Sequence, residues 1–176
     1  VLLKNELLIF AKYPEPGRVK TRLGQTIGME VAARLYRTMV ETVVTKTRPR
    51  NGEYRQVMCF DPADREEDFR RWFPPLKLIP QGEGDLGQRM FKAFEAEIRG
   101  GAKGVVVIGS DCLEVDQSLV TDAFKKMDHA DLVLGPAKDG GYYLIGMKAP
   151  LPFLFEEIPW STNRVLEATL QKASHL

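Results

Sequence analysis

The sequence predicts an α/β three-layer sandwich with a mainly parallel mixed sheet, and three observations carry that expectation. Short runs such as 7–11 (Leu-Leu-Ile-Phe-Ala) and 105–108 (Val-Val-Val-Ile) are apolar without alternation, as strands buried on both faces require. Between such runs lie longer segments whose apolar residues recur every fourth position, which marks amphipathic helices. The two patterns alternate along the chain, the signature of strand–helix–strand units.

Taken in order, 7–11 is the expected first strand. Val31, Leu35, Met39 and Val43, beside Ala32, Tyr36, Val40 and Val44, then make a broad stripe that predicts a helix over 29–46. Residues 56–60 read as a second strand stopped by Asp61-Pro62, and 76–79 as a short third. Leu86, Met90, Phe94 and Ile98 predict a helix that ends at Gly100-Gly101. After the strand at 105–108 come a helix near 116–127 and two strands, 131–134 and 142–145, around a glycine turn. Their closeness allows an antiparallel insertion. A last helix is expected from Ser161 or Thr162, either of which can cap it. The 176 residues show no repeat, low-complexity tract or linker, so one domain over 1–176 is expected.

Composition narrows the function classes. Lys plus Arg is 25 against 24 for Asp plus Glu, a formal charge of +1. That balance argues against a whole-surface field for nucleic acid or anionic membrane, so neither partner is expected. Two cysteines and two histidines cannot supply a zinc finger, a zinc ribbon or an iron–sulfur cage. The start Val1-Leu2-Leu3-Lys4-Asn5-Glu6 is a poor signal peptide, and the apolar runs fall well short of the roughly 20 residues a spanning helix needs. A cytoplasmic protein with Cys59 and Cys112 reduced is the expectation.

Ligands of open α/β sheets bind at the carboxyl ends of strands, so the residues after each strand bear most on function. The loop after the first strand holds four cations (Lys12, Arg18, Lys20, Arg22) against one anion (Glu15), a local charge of +3. Arg offers phosphate a planar fork, Lys adds a mobile point charge, and Gly17 permits close backbone approach. The alternative is a solvated basic loop. A P-loop is excluded, because Val19 stands where that motif needs its second glycine. Residues 82–87 (Gly-Glu-Gly-Asp-Leu-Gly) match a dinucleotide fingerprint literally. Glu83 and Asp85 would nevertheless set negative charge beside a pyrophosphate, which leaves a nucleotide-contacting turn of another kind open.

Asp111, just past the strand at 105–108, can share Mg²⁺ or Mn²⁺ with a diphosphate or simply cap a turn. Cys112 reads as a small buried hydrophobe rather than a nucleophile. His129, in a charged helix end, and His175, beside the terminus, are not expected to be catalytic. Asp139 in 135–143 can orient or deprotonate an acceptor hydroxyl, with Gly140-Gly141 open to a ligand; a hairpin turn is the other use of Asp-Gly. Trp160 can stack on a ring or anchor the core.

Five ordered blocks together carry a resemblance: 14–23 (PEPGRVKTRL), 85–90 (DLGQRM), 109–112 (GSDC), 135–146 (GPAKDGGYYLIG) and 160–162 (WST). They resemble the bacterial GT-A-type nucleotide-diphospho-sugar transferase proteins, some named arsenosugar-biosynthesis glycosyltransferases. The first loop is similar to that of phospholactate guanylyltransferases, which share the fold. The resemblance implies a Rossmann-like nucleotide-binding domain, with a nucleotide sugar or NTP and a small acceptor as partners. It implies Lys12, Lys20 and Arg22 on donor phosphates, Mg²⁺ or Mn²⁺ on Asp111, and Asp139 facing the acceptor. Arg22 and Asp139 are the expected catalytic pair; Gly17, Asp85, Arg89, Gly140, Gly141 and Trp160 complete the expected binding set. The chain departs from the family at Leu113, where proline is usual, and stops at Leu176, where relatives continue into an acidic segment. Three functions follow as expectations: glycosyl transfer, nucleotidyl transfer with pyrophosphate release, and nucleotide binding without catalysis.

Overall fold

The structure, a computed structural model, describes residues 4–174 and Leu176. Val1, Leu2, Leu3 and His175, on which the readings of the two termini rest in part, lie outside the described residues. Six strands form one sheet: β1 (Asn5–Lys12), β2 (Tyr54–Asp61), β3 (Lys77–Pro80), β4 (Val105–Gly109), β5 (Leu132–Pro136) and β6 (Tyr142–Met147). Their order is β3-β2-β1-β4-β6-β5. The first four run parallel, and β6 is antiparallel to both β4 and β5. The mainly parallel mixed sheet and its antiparallel insertion are therefore as the sequence predicts.

Successive residues of β1 explain the continuous apolar runs. Leu7, Ile9 and Ala11 face one core with Val40 and Val43 of α2 (Met29–Lys46), Phe69 of α3 (Glu66–Trp72) and Val120 of α5 (Gln117–Lys126). Leu8 faces the other, with Phe94 of α4 (Leu86–Arg99) and Ala173 of α6 (Val165–Ala173). Both faces are dry, so the central positions 7–11 are all apolar. Helices on the two faces of one sheet give the three layers.

Two seven-residue helices escape the sequence pattern, α1 (Thr21–Ile27) and α3. Each is about two turns long, too short to repeat an apolar period. α3 is anchored by one fully buried side chain, Phe69, and its charges suit its ends: Glu66, Glu67 and Asp68 open it, Arg70 and Arg71 close it, and Arg71 pairs with Asp68 at 2.7 Å. The last helix corrects the expected start, because it begins at Val165 rather than at Ser161 or Thr162. Ser161 takes a left-handed backbone (φ 64°). The Thr162 hydroxyl donates to the Pro159 carbonyl (2.7 Å) and accepts from Arg164 N (3.2 Å), so it closes a turn before the helix.

One charged cluster sits against the sheet beneath α4. Glu6 is buried and bonded to Arg55, while Lys77 holds both oxygens of Glu97 at 2.8 and 2.6 Å. Burial, and then the neighbouring Glu97, pushes the Glu6 carboxyl up to about 7. Its second oxygen has no hydrogen-bond partner.

Candidate active site at the carboxyl ends of β1 and β4

Sheet order reverses between β1 and β4: the chain leaves β1 toward β2 on one side and reaches β4 on the other. Such a switch point opens a crevice outside the strand ends. Three side chains close its floor. Tyr36 of α2 accepts a hydrogen bond from Lys12 N (3.0 Å) and shares another with Ser110 Oγ (2.8 Å), tying the end of β1 to the residue after β4. Burial raises its phenol above the ordinary value, so it stays a neutral donor and acceptor. Gln81, buried after β3, donates to the Ala11 carbonyl (3.2 Å) and the Cys59 carbonyl (2.9 Å).

Over this floor the basic loop meets the acid. Lys20 adopts a left-handed backbone (φ 47°, ψ 40°) just before α1, and its Nζ lies 2.7 Å from Asp111 Oδ2. The two residues are 91 positions apart. Lys12, Lys20, Tyr36, Gln81 and Asp111 line a cavity of about 340 Å³. A second cavity of about 430 Å³ adjoins it and holds Arg22, Asp139, Gly141 and Trp160. Phe10, Leu86 and Gly109 line both. Phe10 and Gly109 are register partners on β1 and β4, so the two cavities meet where a side chain faces a bare backbone.

The expected site thus divides. Lys12, Lys20 and Asp111 come together, whereas Arg22 sits with Asp139, Gly141 and Trp160. Gly17, Asp85, Arg89 and Gly140 line neither cavity. Asp85 caps α4: its carboxylate accepts from Gln88 N (2.8 Å), and Gln88 Oε1 accepts from Asp85 N (3.1 Å). Arg89 Nε donates to the Gly84 carbonyl (2.9 Å), and its guanidinium lies 3.5 Å from Asp61. Gly140 has φ 86°, and its carbonyl accepts from Leu166 N (2.9 Å). Asp139 Oδ1 accepts from Gly141 N (3.0 Å), so this residue both shapes the β5–β6 turn and faces a cavity. Cys112 packs against the core, and burial raises its thiol, which keeps it protonated.

Tyr36 and Gln81 are the site residues that sequence reasoning missed. A tyrosine inside an apolar helical stripe reads as core, and only its hydroxyl hints at a partner. As for a cation, among the described residues no three His, Cys, Asp or Glu side chains converge. The half-exposed Asp111 carboxylate does not fit an all-protein cage. It does fit Mg²⁺ or Mn²⁺ shared between one carboxylate and substrate phosphate oxygens.

A profile of one bacterial protein family matches residues 44–162. The chain belongs to the DUF2064 family. That family is described as "Uncharacterized protein conserved in bacteria". This DUF2064 chain is also similar to a solved structure from Desulfovibrio desulfuricans G20, described as a "putative nucleotide-diphospho-sugar transferase". The two share 36% identity and a TM-score of 0.92, over 99% of this chain and 77% of that one. The resemblance drawn from the five motif blocks is borne out by this match. A cytidylyltransferase from Leptospira borgpetersenii aligns at 12% identity and TM-score 0.62, over 99% and 74% of the two chains. A 4-diphosphocytidyl-2C-methyl-D-erythritol synthase from Anaerococcus prevotii aligns at 10% identity and 0.60, over 96% and 84%. These last two establish the shared fold alone. No curated protein matches the chain. Among the described residues no helix is long and apolar enough to cross a membrane.

Proposed function

We propose that this DUF2064 protein is a transferase that moves a sugar from a nucleoside-diphosphate sugar to a small acceptor. The observation that carries it is the pair of adjoining cavities, one cationic with an acid at its edge, the other apolar with Asp139 at its rim. The 36% identical relative supports the same class of reaction. In this reading Lys12 and Lys20 bind the donor diphosphate, and Tyr36 and Gln81 hold the strand ends that present them. Asp111 would hold Mg²⁺ or Mn²⁺ together with diphosphate oxygens, and the ion would supply positive charge as the leaving group gains negative charge.

The acceptor oxygen forms the new bond to the anomeric carbon while the bond from that carbon to the phosphate oxygen breaks. Its electron pair leaves on the nucleoside diphosphate, and the acceptor proton passes to Asp139. Arg22, which lines the same cavity as Asp139, orients the acceptor and shields developing charge.

Thermal shifts with UDP, GDP and CDP and their sugars, with and without Mn²⁺, test the reading. At least one diphosphate should stabilise the protein, and more so with the ion. Asp111→Asn should abolish the ion dependence while costing under about 1 kcal/mol of stability, since the Asp111 side chain is half exposed and solvent screens its pairing with Lys20. Unchanged ion dependence removes Asp111 from that role. The likeness of fold to cytidylyltransferases favours one rival, nucleotidyl transfer. Pyrophosphate release from an NTP without turnover of any nucleotide sugar would establish the rival.

A further inference from the structure

The 430 Å³ cavity differs in chemistry from the phosphate-side cavity. Phe10, Leu86, Met90, Tyr142, Leu144 and Trp160 give it an apolar wall. The wall is built rather than incidental. Trp160 lies so close to α4 that a Cβ on Gly87 would stand 2.5 Å from its ring. A Cβ on Gly140 would stand 2.0 Å from the Asn163 carbonyl oxygen, so the segment carrying Trp160 is also seated on the β5–β6 turn.

Arg22 and Asp139 line this same cavity. Among the described residues neither has an oppositely charged group within 4.0 Å, including each other. Asp139 spends one oxygen on Gly141 N and keeps the other. A cation and an anion held apart beside an apolar wall suit a molecule that meets all three. The volume falls in the range of small-molecule sites, roughly 300–1,000 Å³.

We propose that this cavity seats an acceptor with a ring-sized apolar body, one anionic group for Arg22 and one hydroxyl for Asp139. The proposal rests on the transferase reading, to which it adds the class of the second substrate. Ser161, Thr162 and Asn163 also line the cavity and could serve some hydroxyls of a wholly polar acceptor, but such a molecule would lose water against the apolar wall, so affinity separates the two classes.

Isothermal titration calorimetry with 4-hydroxyphenylacetate, which carries an aromatic ring, a carboxylate and a hydroxyl, tests it on the whole chain. The expected dissociation constant is about 1 mM or below, and glucuronate, equally charged but polar, should bind at least about tenfold more weakly. Arg22→Gln, at an exposed position that the fold does not depend on, should weaken the ring acid about tenfold. Trp160→Phe should keep most of the affinity, and Trp160→Ala should lose it. Equal binding of glucuronate, no binding of the ring acid, or an Arg22→Gln protein that binds it unchanged would overturn the proposal. UDP stabilisation without ring-acid binding sinks this acceptor class and leaves the transferase reading intact. Ring-acid binding with no effect of any nucleotide sinks the transferase reading, and with it the role of acceptor, and leaves only the cavity's ligand class.

Discussion

Replacing Gly87 with alanine probes how the apolar cavity is walled. The added Cβ would lie 2.5, 2.6 and 2.7 Å from Cζ2, Nε1 and Cε2 of Trp160. Carbon atoms rest about 3.5–4.0 Å apart, so the indole has to retreat by roughly 1 Å. Overpacking of this kind costs about 1–3 kcal/mol. Alanine returns at most about 1 kcal/mol of helix propensity, and less in the first turn of α4, where residue 87 stands. The net expectation is a loss of about 1–2 kcal/mol, or roughly 2–8 °C in melting temperature for a chain of this size. Thermal unfolding measures the loss. Tryptophan emission reports the displacement, with Trp160→Phe as reference, because Trp72 packs on the opposite face of the sheet and stays constant. A Gly87→Ala protein with unchanged melting temperature and unchanged emission would refute the packing of Trp160 on α4.

Tyr36→Phe removes the hydroxyl that joins Lys12 N to Ser110 Oγ, which should cost about 1–3 kcal/mol in a chemical melt and weaken nucleoside diphosphate binding several-fold. A variant that loses stability yet binds equally well would reduce Tyr36 to a structural role. For Glu6, the folded state keeps a proton up to about pH 7 that the unfolded chain releases near its ordinary value of 4.5. Stability therefore falls as pH rises through that window, by about 2 kcal/mol between pH 5 and 8. For Glu97, burial pushes upward but the neighbouring Glu6 carboxyl and the Lys77 ammonium hold it down, so its contribution lies below that window. Glu6→Gln should flatten the slope measured in urea melts from pH 5 to 8, and a wild-type profile already flat would dismiss the account.

The strands were the most legible part of the sequence because burial on both faces leaves no ambiguity of period. Leu7, Leu8 and Ile9 are each fully buried, on alternating sides. α1 and α3 were not legible, since one depends on a left-handed entry at Lys20 and the other is anchored by the single buried Phe69 rather than by an apolar stripe. In the site, Lys20 and Asp111 could each be picked out as residues that follow strands. Their 2.7 Å contact could not, because hydrophobic patterning does not say that β1 and β4 are neighbours. Arg22 shows the same limit at short range. Only Thr21 separates it from Lys20, yet the turn at Lys20 and the start of α1 at Thr21 send the two side chains to different cavities.

The ion pair between Lys20 and Asp111 has a consequence for how the protein is loaded. The acid at the strand edge finds its counter-charge within the chain, so the folded cleft does not lean on an external cation to hold its ends together. Small metal-built domains behave oppositely, because their ligands converge only when the ion is present and chelation unfolds them. Here folding does not require loading, although a bound diphosphate and ion would still add stability to the folded state. On the proposed reading, chelation leaves the sheet standing, and a cation arriving at Asp111 would release the Lys20 ammonium for a neighbouring phosphate.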